Sequence, residues 1–380
     1  MAGTLSPDEL LRYARHLTLG EIGVAGQEAL KAARVLLVGA GGLGSPAGLY
    51  LAAAGVGTLG IVDSDVVDLS NLQRQVLHDT AAVGTSKVSS AAARITALNP
   101  NVRVEAFDER LTSRNARGIL CRFDIVVDGS DNFPTRYLVN DACVLERKPL
   151  VYGSILRFEG QVSLFCAPGG PCYRCLFSEP PPAELVPSCA DAGVLGVLPG
   201  VIGTLQALEA IKWIVGVGES TMGRLVVFDA LRLTFREVAV RRDPGCLVCG
   251  DQPVIADLID YEAFCGTPDL RPSADDAEIV ATELRRALAE RGPPHLLDVR
   301  EPWEFEIAHL ADSQLIPLGA LPARLAEIPR HRALITVCHF GARSLAARDL
   351  LLRAGFAEVR SLAGGIDAWA EAIDPGMRRY

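Results

Sequence analysis

Apolar and polar positions in the first third of the chain form short aliphatic runs separated by glycine-rich or polar segments. Residues 35–38 are aliphatic and uncharged, the pattern of a strand buried on both faces. Gly39, Gly41, Gly42 and Gly44 follow at once, residues 45–55 continue as a small-residue helix, and 58–62 read as the next strand, ending in Asp63 and Asp65. A helix is expected from Thr85-Ser86 to Leu98, and further strands at 102–106 and 124–127. Strands alternating with helices in this way predict an open α/β sheet. The pattern changes at Leu150. Residues 151–156 and 161–165 predict a hairpin around Glu159-Gly160, followed by a helix near 202–215 and strands at 224–228 and 234–240. Ahead of all this, residues 8–16 form a charged amphipathic segment in which Arg12 and Arg15 can share a helical face or simply meet solvent.

A second, smaller alternation fills the end of the chain. It predicts a helix at 277–291, a strand at 295–300, a helical turn at 301–306, a buried strand at 334–337, a helix at 344–354 and a strand at 357–361. The chain therefore divides into a domain at 1–250, a linker at 251–274 carrying Gly266, Pro268 and Pro272, and a compact unit at 275–380. A length of 380 residues allows two domains and a substantial core. With 49% hydrophobic and 22% charged residues, wholesale disorder is excluded.

The start, MAGTLSPDEL, has no basic region leading into an apolar segment, and apolar runs such as 194–202 are broken by glycine and proline. A cytoplasmic protein that does not span a membrane is expected. A net charge of −9 argues against nonspecific nucleic-acid binding. Ten cysteines in such a chain read as metal ligands or reactive thiols more readily than as disulfides.

The glycine turn suits phosphates approaching backbone N–H groups at a helix N-terminus, with Asp63 or Asp65 placed for a ribose hydroxyl. A dehydrogenase uses the same geometry, so the turn specifies a nucleotide and not a reaction. The polar stretch DLSNLQRQ, residues 68–75, follows. Arg74 in it and Lys87 beyond it are cations able to offset phosphate charge. Asp128 and Asp131, in DGSDNFPTR, are candidate Mg²⁺ ligands or helix caps. Cys172 and Cys175 in CYRC, with Cys246 and Cys249 in CLVC, make a four-thiolate zinc site if the fold joins them. Iron–sulfur ligation and redox chemistry are the alternatives. Cys189 lies in a proline-rich loop between the two pairs. Cys338 ends a strand in the loop CHFGARS, where backbone N–H groups and Arg343 suit an anion cradle; a buried core cysteine is the bland alternative.

These motifs carry a resemblance. RYARH, VGAGGLGSP, DSDVVDLSNLQRQ, VGTSK, DGSDNFPTR, both CxxC pairs and GVIGTLQALEAIK resemble, over the first 250 residues or so, the adenylating domain of the ubiquitin-activating superfamily. Within it they come nearest the bacterial adenylyltransferases of molybdopterin and thiamine synthesis, and the dehydrogenase reading falls away. LLDVREPWEFEIAHL and CHFGARS resemble a rhodanese domain. The resemblance implies a Rossmann-like adenylation domain with a Cys₄ zinc site, then a smaller α/β rhodanese domain. It implies ATP, Mg²⁺ and Zn²⁺ as cofactors. The implied partner is a ubiquitin-like sulfur-carrier protein ending in Gly-Gly, with thiosulfate or a cysteine-desulfurase persulfide as sulfur donor.

Among residues, the resemblance sets the glycines, with Gly42 foremost, against ATP and Asp63 and Asp65 at the ribose end. It puts Asn71, Arg74 and Lys87 toward the phosphates and Asp131 toward Mg²⁺, with Ser70, Leu72, Gln73 and Asn132 among the residues that bind the nucleotide. Arg15 and Arg74 match positions that reach across a two-fold dimer. Cys189 matches a cysteine that is covalent in some relatives and dispensable in others, and Cys338 would carry a persulfide. Two segments depart from the pattern: His339-Phe340 in the cysteine loop, and HLADSQLIPLGAL, which leaves His309 without a supported catalytic role. A non-adenylating scaffold and a phosphatase-like second domain are the alternatives.

Overall fold

The computed structural model describes residues 4–181, 193–265 and 277–379. It divides the chain into two compact units, Met1–Thr267 and Pro268–Tyr380.

The first unit is built on eight strands: β1 Arg34–Val38, β2 Thr58–Val62, β3 Arg103–Phe107, β4 Ile125–Asp128, β5 Leu150–Leu156, β6 Glu159–Phe165, β7 Arg224–Asp229 and β8 Thr234–Ala239. They lie in the order β3-β2-β1-β4-β5-β6-β7-β8. The first five are parallel, and β5 through β8 pair antiparallel. β1 explains why its sequence carries no charge after Arg34. Val35 and Leu37 pack into one core with Leu51, Ile61 and Ile95, while Leu36 and Val38 pack into the core on the other face with Phe123 and Val126. The connection changes direction at β1, with β2 on one side and β4 on the other, so their carboxyl ends open a crevice.

Several boundaries differ from expectation. The N-terminal segment is two helices, Pro7–Arg12 and Ala14–Leu17, broken at buried Tyr13, whose hydroxyl accepts a hydrogen bond from Asn99. Arg12 and Arg15 consequently do not share one regular helical face. The hairpin turns at Arg157-Phe158 and not at Glu159-Gly160, with Arg157 in the left-handed region at φ 54°. The helix expected from 202 begins at Val197 and runs through Pro199 and Gly200 to Val215. By length and composition alone this helix could cross a bilayer. Here it buries Leu198, Ile202, Gln206 and Ala210 within the unit. Part of the expected linker belongs to the first unit, because Tyr261 and Cys265 are buried in the same core as Tyr137 and Tyr173. Arg117–Asp257 and Ser113–Ile259 contacts hold the segment as well.

The second unit has β9 Glu278–Ile279, β10 His295–Asp298, β11 Gln314–Leu315, β12 Leu334–Val337 and β13 Val359–Leu362, in the parallel order β11-β10-β12-β13-β9. The single helix expected at 277–291 is β9 followed by Ala281–Ala289. Sequence reasoning missed the two-residue β11 and also the helix Gly365–Ala372, although Ile366, Trp369 and Ala370 fall at helical spacing. Again both faces are covered, with Leu297 and Leu334 on one core and Leu296, Ile335 and Val337 on the other.

Candidate functional site

A cleft of about 380 Å³ opens where β1, β2 and β4 end. Gly39, at φ 90°, turns the chain out of β1 in a conformation that favours glycine. A Cβ at Gly44 would run into the Gly39 carbonyl, so the turn closes tightly on the helix Gly44–Ala54. Gly39, Gly41, Gly42, Asp63, Asp65, Arg74, Lys87, Asp131 and Asn132 all line the cleft. Asp63 fastens the turn: one carboxylate oxygen accepts from Ala40 N at 2.8 Å and the other from Asp65 N at 2.9 Å. Lys87, almost fully buried, pairs with the Asp65 carboxylate at 2.8 Å. Arg74 donates to the Ser70 carbonyl at 3.0 Å.

Among the described residues, Gly44, Ser70, Asn71, Leu72, Gln73 and Arg15 do not line the cleft. Ser70 and Asn71 sit in a 3₁₀ turn, Leu69–Asn71, capped by Asp68, and the Asn71 carbonyl accepts from the N–H groups of Arg74 and Gln75. Arg15 is exposed elsewhere on the surface. Capping does not account for Asp128 or Asp131, because the helix Phe133–Leu145 is capped by Asn132, which accepts from Thr135 N at 2.9 Å. Asp128 is buried; desolvation pushes its carboxyl up, with the Arg136 charge opposing. That leaves exposed Asp131 as the better placed of the two carboxylates for a hydrated cation.

Sequence reasoning missed Gln75, Glu109, Arg110, Ser130, Thr135 and Arg136, which also line the cleft. Gln75 Oε1 and Ser130 Oγ are buried there without a protein partner among the described residues, which fits a ligand rich in hydrogen-bonding groups such as ATP. His78 was missed too. Its Nε2 lies 3.0 Å from the Ala40 carbonyl and its Nδ1 2.9 Å from Ser90 Oγ, so Nε2 donates and Nδ1 accepts. Burial pulls its pKa down, against the Ala40 bond that raises it.

Next to Tyr173, whose ring packs on Tyr152 and Phe165, the two CxxC pairs meet. The sulfurs of Cys172, Cys175, Cys246 and Cys249 all lie within 4.8 Å of one another. Measured separations are 3.9 Å for Cys172–Cys175, 3.6 Å for Cys172–Cys246 and 3.3 Å for Cys175–Cys249. Four sulfurs bound tetrahedrally at about 2.3 Å would stand roughly 3.8 Å apart. The donor set therefore fits a closed four-thiolate metal site. Hydrogen bonding, chiefly from Cys172, lowers the pKa of the Cys175 thiol. Arg174, between the first two cysteines, is buried and forks onto Asp141 at 2.8 Å and 2.8 Å, while Tyr261 donates to the same carboxylate at 2.8 Å. Cys189 lies outside the described residues.

In the second unit β12 delivers Cys338 into a loop that closes on the helix Ala342–Arg353. Cys338 is 1% exposed, but its sulfur is not packed only by apolar atoms, as the core-cysteine alternative requires. Gly341 N–H points at Sγ from 3.1 Å and the Ser344 hydroxyl from 3.3 Å. Arg343 is committed differently from expectation. Its two terminal nitrogens fork onto Glu304 at 2.7 Å and 2.7 Å, so much of its charge is answered by a buried carboxylate. Arg300, fully buried, is likewise held by Asp298 and the Ala308 carbonyl. His339 stacks on exposed Phe340, and burial pulls its pKa down. His309 Nδ1–H donates to the Phe305 carbonyl at 2.8 Å, and its ring stacks on that of Phe305.

A nucleotide-sized cleft at the switch point of a mixed sheet, followed by a cysteine-loop unit, marks a two-domain α/β protein that joins nucleotide chemistry to thiol chemistry. The profile of the ThiF family matches residues 13–248, and that of the rhodanese-like domain matches residues 280–372. The chain belongs to the ThiF family and carries a rhodanese-like domain behind it. It is 48% identical over 387 residues to a probable adenylyltransferase/sulfurtransferase MoeZ of Mycobacterium tuberculosis, covering 100% of this chain and 97% of the relative. It is 45% identical over 403 residues to the adenylyltransferase and sulfurtransferase MOCS3 of Sus scrofa, covering 99% and 89%. Among solved structures, E. coli MccB with ATP shares the fold of the first unit at a TM-score of 0.57 and 23% identity, over 63% of this chain and 73% of that one.

Proposed function

We propose that this enzyme adenylates the C-terminal glycine of a ubiquitin-like sulfur-carrier protein and then turns the activated carboxylate into a thiocarboxylate with sulfur carried on Cys338. The reading is carried by the presence, in one chain, of a nucleotide cleft lined by Arg74 and Lys87 and a cysteine sulfur surrounded by donors. The names of the full-length relatives support it.

In the first step a carrier carboxylate oxygen attacks the α-phosphorus of ATP and pyrophosphate leaves. The glycine turn would accept phosphate oxygens on its N–H groups, and Arg74 and Lys87 would offset charge as the pentacovalent arrangement forms. Lys87 enters that role already oriented by Asp65. Asp131 would hold Mg²⁺, which when bound neutralises phosphate charge. In the second step the outer sulfur of a Cys338 persulfide attacks the acyl carbon, and AMP leaves with the electron pair of the broken C–O bond. A thiolate then attacks the Cys338 sulfur of the acyl disulfide and expels the thiocarboxylate; Cys189 is our candidate for that thiol. Cys172, Cys175, Cys246 and Cys249 would hold Zn²⁺ in a structural role. We place the protein in the cytoplasm as a homodimer, fed by thiosulfate or a desulfurase persulfide.

Two alternatives are less well supported. A scaffold without adenylation has no use for a cleft that keeps both cations and Asp131. A phosphatase loop of this kind is usually one residue longer than the six residues from Cys338 to Arg343, to enclose a phosphate.

The test combines the purified protein, ATP, thiosulfate and each Gly-Gly-terminated carrier from the same genome. Carrier-dependent ATP–pyrophosphate exchange and an intact-mass change from carboxylate to thiocarboxylate are expected. Cys338→Ala should keep exchange and lose thiocarboxylate formation. Absence of exchange with every carrier overturns the first half, and undiminished thiocarboxylate from Cys338→Ala, with no added sulfide, overturns the second.

A further inference from the structure

The Cys338 sulfur has one side-chain donor described against it, and that donor is Ser344 and not Arg343. Ser344 is fully buried, and so is Ser361 behind it. The Ser344 oxygen is 3.3 Å from Cys338 Sγ and 2.9 Å from the Gly341 carbonyl, two acceptors for a single hydroxyl hydrogen. Ser361 Oγ donates to Ser344 Oγ from 2.9 Å. That bond fills an acceptor position on Ser344 and leaves its hydrogen to choose between sulfur and carbonyl. A negative charge on Sγ draws the hydrogen to sulfur; a neutral Sγ leaves it on the carbonyl. The backbone around the pair is fixed, because Thr336 Oγ1 donates to the Ser344 carbonyl at 2.9 Å.

Resting on the reading of Cys338 as the sulfur carrier, we propose that Ser344 is a catalytic residue of the sulfurtransferase unit, its hydroxyl stabilising charge on Cys338 Sγ, with Ser361 as the positioning residue that orients it. The charge appears on Sγ at both ends of the cycle. In loading, the Cys338 thiolate attacks the outer sulfur of thiosulfate, the bond between the two thiosulfate sulfurs breaks, and sulfite leaves with its electron pair. In release to a small acceptor such as cyanide, cyanide attacks the outer sulfur and the Sγ–S bond breaks. Its electron pair returns to Sγ as thiocyanate departs. Sγ is then the leaving group, and the Ser344 hydroxyl and Gly341 N–H receive the developing charge in a site that excludes water.

The experiment uses the full chain with thiosulfate and cyanide as probes. Each variant is loaded with thiosulfate, its persulfide content is read by intact mass, and thiocyanate release is followed in a single turnover. Ser344→Ala is expected to release thiocyanate about tenfold to hundredfold more slowly per loaded persulfide, the range for losing a hydrogen bond to a charged group. Its KM for thiosulfate should stay near wild type, and its melting temperature should fall modestly because the buried Ser361 hydroxyl loses its acceptor. Ser344→Thr, which keeps the hydroxyl, should recover most of the rate. Ser361→Ala should give an intermediate loss that disappears as a separate effect in the Ser344→Ala background, because Ser361 acts only through Ser344. Wild-type release by Ser344→Ala, or a loss that Ser344→Thr shares in full while its melting temperature holds, overturns the assignment of Ser344. Additive losses in the double variant overturn that of Ser361. Cys338→Ala separates the two levels of the argument: thiocyanate formation by that variant refutes Cys338 as carrier and leaves the Ser344 measurement without a persulfide to report on.

Discussion

Single residues carry the parts of the site that the sequence made least visible. Cys338 was legible because a strand delivered it to a glycine-containing loop; Glu304, the partner of Arg343, sits 39 positions before that arginine and looked like one acid among several in EPWEFE. Contacts at such separations leave no periodic trace. His78 is similar. A lone histidine in a polar stretch gives no sign that it supports the glycine turn through the Ala40 carbonyl. Its folded pKa lies below the ordinary 6.5 because burial disfavours the imidazolium. The sign follows from proton uptake: just below the ordinary value the unfolded chain binds this proton and the folded chain does not. The contribution of neutral His78 is therefore complete above about 6.5 and is lost as pH falls through the ordinary value toward the lower folded one. Urea midpoints of the first unit should decline between neutral and mildly acidic pH, and His78→Gln should be less stable at neutral pH with a shallower decline. An unchanged slope in that variant would refute the linkage.

Elements were legible where burial on two faces or a glycine turn imposed a pattern, as in β1, β2, β4, β10 and β12. They were less legible where length, and not pattern, decided. The two-residue β11 is too short for a period, and 277–291 looked like a continuous helix because β9 spans only Glu278–Ile279. The two CxxC turns were legible as ligand pairs, but not the Asp141–Arg174–Tyr261 network that braces one of them against the segment once expected to be linker. That bracing gives the cysteine cluster a mechanical role. It ties Cys172–Cys175 to the chain following β8, where the Asp243 N–H also donates to Cys175 Sγ at 3.4 Å. Purified protein should contain about one zinc per chain. Cys175→Ser should lower that content and the thermal midpoint of the first unit, since a structural ion contributes folding free energy directly. Metal analysis showing full zinc occupancy with unaltered stability would rule the assignment out.

At the scale of the whole molecule, the two units follow the two parts of the sequence pattern, and the proposed homodimer raises the question of how two copies would share a site. Arg74 and Arg15 were grouped as arginines able to reach a neighbour's site, but they occupy different places. Arg74 lines the cleft of its own chain and is braced by the Ser70 carbonyl. Arg15 is exposed, away from that cleft, just after the break at Tyr13. If only one of them acts across a two-fold axis, the geometry favours Arg15. Arg15→Ala and Lys87→Ala homodimers should then each lose most carrier-dependent pyrophosphate exchange. In a mixed dimer, the Arg15→Ala chain keeps its own Lys87 and receives an intact Arg15 from its partner, which completes one of the two sites. The other site lacks both groups. Random mixing makes half of the dimers mixed with one working site each, so a refolded equimolar mixture should recover about a quarter of wild-type exchange. Pairing Arg74→Ala with Lys87→Ala should recover none, because both groups belong to the same chain's cleft. Recovery in the Arg74 mixture together with none in the Arg15 mixture would reverse the assignment, and no recovery in either, with mixing shown by native mass, would mean that each chain completes its own site.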